Sequence, residues 1–542
     1  MLLPVVWDYI VVGGGIAGSV ISSRLFEQNT SLKILLIEAG PDVSNRADLV
    51  YYNSTNLVMG DFDWNYQTVP QANLGNRMIA NPAGRALGGG SAINQCAWTR
   101  GSSLDYDLWA ETVGDQRWSY AGQLPYFRKT EDYCDNSNPN HHGRGGPVHV
   151  ASITCSGRKY PLRDKVRESW QEIGVEPVPD FDGNAGRILG VAELYETRRD
   201  GRREIASSVY SLAGVTVLTE SLVESVTLAK DADGGVQATG VRLANGTEYQ
   251  GKRLLMLSGI GPAETLAQHG IEQVVELPEV GQNLADHVGL ICQWRLKDPS
   301  LGYVLGSDNP LFNEPQYGFG NPMDWVPSTA VPKEEGEEAQ YPITRSTDNG
   351  DSQLGDFENF IVYSAVPSVD PPIAVDGTHL VTSLASLHPT SRGSVTISSR
   401  DPDVAPVIDP NYLSTEADRH VWRESLRRLV SVMVGNATVL GREVIDSETP
   451  PGAFAGRPLG TVTALDDAYL DARIAAHASS MWHGQGTCAM GKVVDTSLRV
   501  RGVRGLYVAD ASVFPVVIGA HTQAAVYGLG EQAAVIIAAD DQ

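Results

Sequence analysis

Near the C-terminus, "HASSMWHGQGTCAMG" (477–491) sets Trp482, His483 and Cys488 among glycines and small residues, and His521 follows in "VIGAHTQAAVY". Histidine titrates close to neutral pH, so it can move a proton, ligate a metal or activate a thiol. The local sequence leaves four readings of His483 open: metal ligand, activator of Cys488, general base, or plain loop residue. The five cysteines (Cys96, Cys134, Cys155, Cys292, Cys488) are scattered, odd in number and form no C-x-x-C pair. Reduced, mostly buried thiols are expected, not a disulfide framework or a zinc site. His141, His142 and His149 stand close together in "HHGRGGPVHV". A solvated loop beside a glycine turn is expected there, and no metal site.

The N-terminal segment supplies the context. "WDYIVVGGGIAGSVISSRLFEQNTSLKILLIEAG" reads as strand, glycine turn, helix, strand. Tyr9 to Val12 form the continuous apolar run of a buried parallel strand. Ile16, Val20 and Leu25 give the helix an apolar face. Gly13, Gly15 and Gly18 stand at G-x-G-x-x-G spacing, with Gly14 and Ala17 between them. The first glycine makes the turn, the second lets backbone approach a pyrophosphate, and the third lets helix meet strand. The pyrophosphate then lies on the helix N-terminus, where free N–H groups favour anions. The triplet alone is weak evidence in a glycine-rich chain; its place between strand and helix gives it meaning. Glu38, followed by Ala39, stands where a carboxylate hydrogen-bonds a ribose hydroxyl. That fits FAD or NAD and disfavours NADP.

A second glycine cluster occurs in "NPAGRALGGGSAINQCAWTRGSSLDYDLWA" (81–110), where a ligand held against backbone would explain the missing side chains. Here the sequence resembles the glucose–methanol–choline (GMC) oxidoreductases, flavoproteins that oxidise alcohols. Their first signature is similar to Gly84 to Asn94, including Gly90. "LLMLSGIGPAETLAQHGIEQVVELPEVGQNLADHVG" (254–289) resembles the second signature, with Asp286 and His287 near its end. "HPTSRGSVTISSRDPDVAPVIDPNYLS" and "WHGQGTCAMGKVVDTSLRVRGVRGLYVADASVFP" resemble later blocks, so the likeness spans nearly the whole chain.

The resemblance implies a Rossmann-type α/β FAD-binding domain interleaved with a sheet-based α+β substrate domain. FAD-binding segments are expected at 1–110, 201–290 and 476–542, and substrate-domain segments at 111–200 and 291–475. It also implies that Asn94 and Ala97 line the flavin, that Val223 meets adenine, and that Asp510 and Ala511 form a flavin-contacting turn. Thr522 and Gln523 open the last helix, whose N-terminus is expected to face the flavin. Gly528 and Gly530 within that helix each cost about 1 kcal/mol, which points to close contact there. Where some relatives attach flavin through a histidine, this chain has Ile93, so non-covalent FAD is implied.

Taking hydride from an alcohol carbon requires a side chain to accept the hydroxyl proton. The family places one histidine in an H-x-x-G-T-x-x-M block and a histidine or asparagine at the start of the last helix. Here both places hold histidine, His483 and His521. His483 is assigned as base and His521 as partner of the alcohol oxygen, with the reverse kept open. Trp482 either walls the substrate pocket or fills the core.

A net charge of −24 argues against nucleic-acid partners. No apolar run approaches the length of a membrane span, and "MLLPVV" is too short for a signal core. A cytoplasmic location is expected, and the "NST" sequon at Asn53 carries little weight. The expected partners are a small alcohol and oxygen or another electron acceptor. Secondary-metabolite biosynthesis is the expected setting.

One departure stands out. The family carries a strand and a small-residue turn immediately before "LLMLSGIGP", whereas "GTEYQGKRLLMLSGIGP" runs straight from Arg253 into Leu254. A strand of the FAD domain is therefore expected to be missing. Two other functions remain: a non-redox lyase or cyclase using FAD as scaffold, and a degenerate non-catalytic member. The Pro- and acid-rich stretch from Asp308 to Gly350 is expected as a long surface loop.

Overall fold

Two sheets, built from interleaved stretches of chain, organise the protein. The structure is a computed structural model that describes residues 5–47, 58–134, 138–230, 234–255, 260–331, 354–460 and 466–540. Asn53 lies outside them.

In the first sheet the order is Thr216–Leu218, Ile34–Ile37, Val6–Val12, Glu248–Leu255, Val236–Leu243, Val223–Lys230. The first four strands are parallel, and the last three form an antiparallel meander. Tyr9, Ile10 and Val11 are at most 1 % exposed, and Ile34–Ile37 is buried throughout. Both faces of these strands are covered, so both side-chain sets are apolar. The helix Ile16–Gln28 lies against the C-terminal helix Gln523–Ala539. A Cβ on Gly530 would meet Val20 Cβ at 3.0 Å, and one on Gly528 would meet Phe127 Cε1 at 2.7 Å. Close approach thus explains two glycines inside a buried helix.

The second sheet is antiparallel, in the order Ile445–Thr449, Val288–Leu296, His379–Ser386, Phe357–Val362, Trp325–Thr329, Gly190–Glu193. The helix Glu416–Met433 covers it, with Trp422 edge-on to Phe357 at 5.1 Å. Ser479–Ser480 pairs with Val288 and Gly289 at one end of this sheet.

Four expectations are corrected. The first sheet has no gap: Glu248–Leu255 runs parallel to Val6–Val12, and Leu254 also pairs with Leu506. Leu254 and Leu255, which open the second signature, are the last residues of that strand, because their main-chain N–H and C=O groups fill the ladder position directly. Residues 256–259 lie outside the described residues. Second, the stretch from Asp308 is not wholly a surface loop. It forms the turns Pro310–Asn313 and Pro315–Gly318 and then the buried strand Trp325–Thr329; residues 332–353 are outside the description.

Third, Cys134 and Cys155 form a disulfide, with Cα atoms 6.3 Å apart. Glu131–Tyr133 and Val148–Ser152 pair in parallel, so the residues just past their C-terminal ends come together. Sequence spacing carries no trace of that pairing. Cys96, Cys292 and Cys488 are free and buried. Fourth, His142 is not in a solvated loop. It is 5 % exposed, stacks on Tyr133 at 3.6 Å, and bridges Glu131 and Asp182. Burial alone would lower its pKa, but hydrogen bonds to Asp182 and Glu131 raise it above the ordinary value.

The disulfide closes a sequence separation of 21 residues. Replacing Cys134 and Cys155 by serine is expected to lower stability by about 3 kcal/mol. Urea denaturation with and without reductant checks this: the wild type under reductant should fall to the midpoint of the double variant, and equal midpoints throughout would refute the bond's contribution.

Candidate active site

The two histidines meet where the sheets join. Ser479–Ser480 pairs antiparallel with Val288 and Gly289, and Ala285 bridges Gln485. This short ladder sets Asp286 and His287 opposite His483. The Asp286 carboxylate accepts the main-chain N–H of His483 at 2.8 Å, the Ser480 hydroxyl and the Tyr412 hydroxyl. Burial pushes its pKa up although these donors oppose the shift. Nδ1 of His483 lies 2.9 Å from Nδ1 of His287, with the rings almost perpendicular.

His521 arrives from the other side. It ends the turn before the C-terminal helix, and its N–H donates to Thr99 Oγ1 at 2.7 Å. Its ring centroid is 4.9 Å from that of His483. Its Nε2 is 3.1 Å from Glu358 Oε2, and Phe360 stands edge-on at 5.5 Å. Below the turn, Asp105 accepts the Gly519 N–H and pairs with Nε2 of His388 at 2.7 Å. Burial works against a charge on His388, yet Asp105 raises its pKa overall.

Burial, then the neighbouring His521 and His287, hold His483 well below the ordinary histidine pKa. His287 is pushed down to about 3 by burial, then by His388 and His521. Trp482 is 42 % exposed at φ +63°, so it is not a core residue; its N–H is held by Ser480 Oγ at 2.8 Å. Cys488 is buried, its N–H donates to the Ser512 carbonyl, and burial pushes its thiol up to about 12. Such a thiol is a poor nucleophile. No cluster of metal-ligating side chains occurs among the described residues.

The expected cofactor positions form a continuous seam. Gly14 and Gly40 donate their N–H groups to the Glu38 carboxylate, each at 2.8 Å. Burial raises the Glu38 pKa against those bonds. Gly15 begins the helix containing Ala17 and Gly18, with no side chain capping its N–H groups. A Cβ on Gly18 would lie 2.0 Å from the Gly13 carbonyl oxygen, and one on Gly89 2.7 Å from Gly15 Cα. The two glycine clusters therefore meet backbone to backbone, leaving Gly90 with nothing within 4 Å of its Cβ direction. Asn94 Nδ2 donates to Gln523 Oε1 at 3.1 Å, Gln523 donates to the Ala97 carbonyl, and Thr522 caps the last helix without a side-chain bond. Ser221 N–H bonds the Glu38 carbonyl, bringing the start of Val223–Lys230 beside Ala39. Asp510 caps the turn Ala511–Val513, and the Ala511 carbonyl accepts the Gly486 N–H at 3.1 Å. Open N–H groups, a bare glycine cradle and a buried carboxylate suit the pyrophosphate, adenosine and ring of FAD.

Three side chains at the site were not assigned roles by sequence reasoning. Asp286 and His287 lay within a motif that resembled the family, but nothing in their spacing told of His483. Glu358 comes from a strand of the second sheet, in "GDFENF", and left no signal at all.

Two family profiles, both described as GMC oxidoreductase, match residues 7–289 and 389–530. The chain belongs to the GMC oxidoreductase family, and it is an FAD-dependent oxidoreductase acting on CH–OH groups. It is similar to the GMC-type oxidoreductase acuG of Aspergillus aculeatus, 39 % identical over 97 % of this chain and 98 % of that one. It is 30 % identical to an oxygen-dependent choline dehydrogenase of Brucella anthropi, over 97 % of this chain and 94 % of the other. A solved structure of pyridoxine 4-oxidase from Mesorbium loti superposes with a TM-score of 0.80 at 25 % identity, covering 98 % of both chains. Among the described residues no helix is long and apolar enough to cross a membrane.

Gly89 has φ +53° and no room for a Cβ against Gly15. Gly89→Ala is expected to lower the flavin-to-protein ratio of the purified protein at least tenfold while far-ultraviolet circular dichroism keeps its wild-type form, about 1–3 kcal/mol being the usual cost of such strain. Full flavin content in the variant would contradict the cradle.

Proposed function

We propose that the chain oxidises a small alcohol to its carbonyl compound, with His483 accepting the hydroxyl proton and His521 holding the alcohol oxygen. The observation that carries this reading is the pair of perpendicular imidazoles 4.9 Å apart, each anchored from behind by different groups. Bound non-covalently, with Ile93 where some relatives carry a histidine, FAD supplies the two-electron acceptor for the hydride. His483 is buried and, among the described residues, no carboxylate meets its ring, so it stays neutral and able to take a proton. His521, anchored on Glu358 through Nε2, hydrogen-bonds the alcohol oxygen with its other ring nitrogen. That hydrogen bond makes the hydroxyl more acidic as its proton leaves. Trp482, exposed beside His483, forms a wall of the substrate pocket. Oxygen or another acceptor then reoxidises the enzyme, and a place in secondary-metabolite biosynthesis completes the reading.

One observation favours the reverse division of labour. Glu358 orients His521 as a carboxylate orients a catalytic base. Rapid-mixing measurement of flavin bleaching under anaerobic conditions separates the two. His483→Ala is expected to slow flavin reduction by about 10²- to 10⁴-fold with FAD retained, and His521→Ala by less. A larger loss in His521→Ala reverses the roles; near-normal reduction in both variants sinks the proposal. Absence of bleaching by any alcohol in the wild type would point to non-redox chemistry.

A base acts in its neutral form, so lowering its pKa extends activity toward acid. The rate of flavin reduction is expected to stay on its plateau as pH falls through about 6.5, the ordinary histidine value, and to decline only below it. Half-loss at the ordinary value would contradict the buried, depressed state of His483.

A further inference from the structure

The turn that carries His521 has no ladder of its own. Its main-chain N–H groups go mostly to side chains: Ile518 donates to Gln485 Oε1 at 3.0 Å, Gly519 to Asp105 Oδ2 at 3.1 Å, and His521 to Thr99 Oγ1 at 2.7 Å. The place of the imidazole therefore depends on how firmly those acceptors are held. Of the three, only Asp105 is a carboxylate. It is 1 % exposed and lies in the first turn of the helix Ser103–Val113, where the same oxygen also accepts the Ser102 N–H.

Asp105 is held in turn by His388, just past the strand His379–Ser386. Nε2 of His388 stands 2.7 Å from Asp105 Oδ1, and Nδ1 stands 2.7 Å from the Gly355 carbonyl oxygen. A carbonyl only accepts, so Nδ1 carries a hydrogen. The carboxylate, already accepting two main-chain N–H groups on its other oxygen, accepts as well, so Nε2 also carries one. A ring with hydrogen on both nitrogens is an imidazolium. The ring also touches the turn itself: a Cβ on Gly519 would lie 2.4 Å from His388 Cε1. The neighbours suit a positive charge. Asp356, just ahead of the strand Phe357–Val362, adds a second carboxylate nearby. Asp418, lining the same small cavity from the helix Glu416–Met433, is bound by Thr390 and Ser391. His287 is pushed down to about 3 by burial, then by His388 and His521, and so adds no competing charge.

We propose that His388 is a positioning residue for alcohol oxidation: as a buried imidazolium it clamps Asp105 between the second sheet and the turn, and so fixes where His521 meets the alcohol. This rests on His521 taking part in the reaction, and it holds whichever histidine is the base. Deprotonation of His388 breaks the clamp. With hydrogen kept on Nδ1 for Gly355, the Nε2 lone pair then faces the Asp105 carboxylate, acceptor against acceptor. At lower pH the ring is charged and the turn is held. As pH rises through a value above the ordinary 6.5, charge and hold are lost together.

Two measurements test this. In the wild-type holoenzyme with nitrogen-15-labelled histidine, signals assigned by their absence from His388→Gln and His521→Asn are followed from neutral to alkaline pH. At neutral pH both nitrogens of His388 are expected to carry hydrogen, and the His521 signals are expected to move as His388 titrates. A bare nitrogen on His388 at neutral pH, or His521 signals that stay fixed while His388 titrates, overturns the proposal. A residue that merely fills space produces neither effect. The second measurement is the rate of anaerobic flavin reduction, which is expected to decline on the alkaline side together with the His388 titration. Asp105→Asn keeps an oxygen for Gly519 and turns an NH2 group toward Nε2, so it pairs with a neutral His388, and its alkaline decline is expected to vanish. A decline unchanged in Asp105→Asn, or one that sets in while His388 is still charged, overturns the proposal. His388→Leu is expected to keep its FAD and to slow flavin reduction about 10- to 100-fold, the scale of a misplaced reacting group; a wild-type rate there also overturns it. If either variant loses FAD, the wild-type titration decides. Near-normal reduction in His521→Ala would instead remove His521 from the reaction, while the coupled titration of His388 and His521 would still stand or fall separately.

Discussion

The Asp286 carboxylate lies at the junction of the two sheets and accepts hydrogen bonds from His483, Ser480 and Tyr412. Each donor belongs to a different local structure: the loop that carries His483, the strand pair that precedes it, and the segment leading to the helix Glu416–Met433. An isolated buried carboxylate is costly, and these donors make the site tolerable only when all are in place. The position of His483 therefore depends on correct assembly of both sheets. The ladder from Ala285 to Gly289 then brings His287 against the same imidazole.

On the cofactor side, the same precision comes from missing atoms. Gly89 rests on Gly15, and Gly18 on the Gly13 carbonyl, with no space for a Cβ. Two chain segments more than seventy residues apart in sequence thus form one backbone surface. Asn94 links that surface to Gln523, two residues past His521. The glycine surface and the turn that carries His521 are consequently linked by hydrogen bonds. A shift in the glycine cradle would carry His521 with it.

Much of the architecture was legible in the sequence because it rests on local chemistry. Tyr9–Val12 and Ile34–Ile37 read as buried parallel strands from their apolar runs, and the glycine spacing marked the turn between them. His483 and His521 stood in motifs whose order along the chain identified the family. What failed to show were pairings between distant segments. Cys134 and Cys155 join because two strands pair in parallel, and His142 is buried by residues from Arg100, Glu131 and Asp182. The missing strand was misread because a deletion in sequence need not leave a vacancy in a sheet. Glu248–Leu255 satisfies the same backbone groups.

By itself the sequence determined residue types and local backbone options: where glycine permits a tight turn, where an apolar run makes a strand, and which histidines lie in family motifs. Only the tertiary structure decided their partners. Glu358 reaches His521 from a strand of the second sheet, and His287 reaches His483 across a ladder of paired residues. Which ring nitrogen holds a hydrogen depends on the neighbour within about 3 Å, and a neighbour nearly two hundred residues away leaves no periodic trace in the chain.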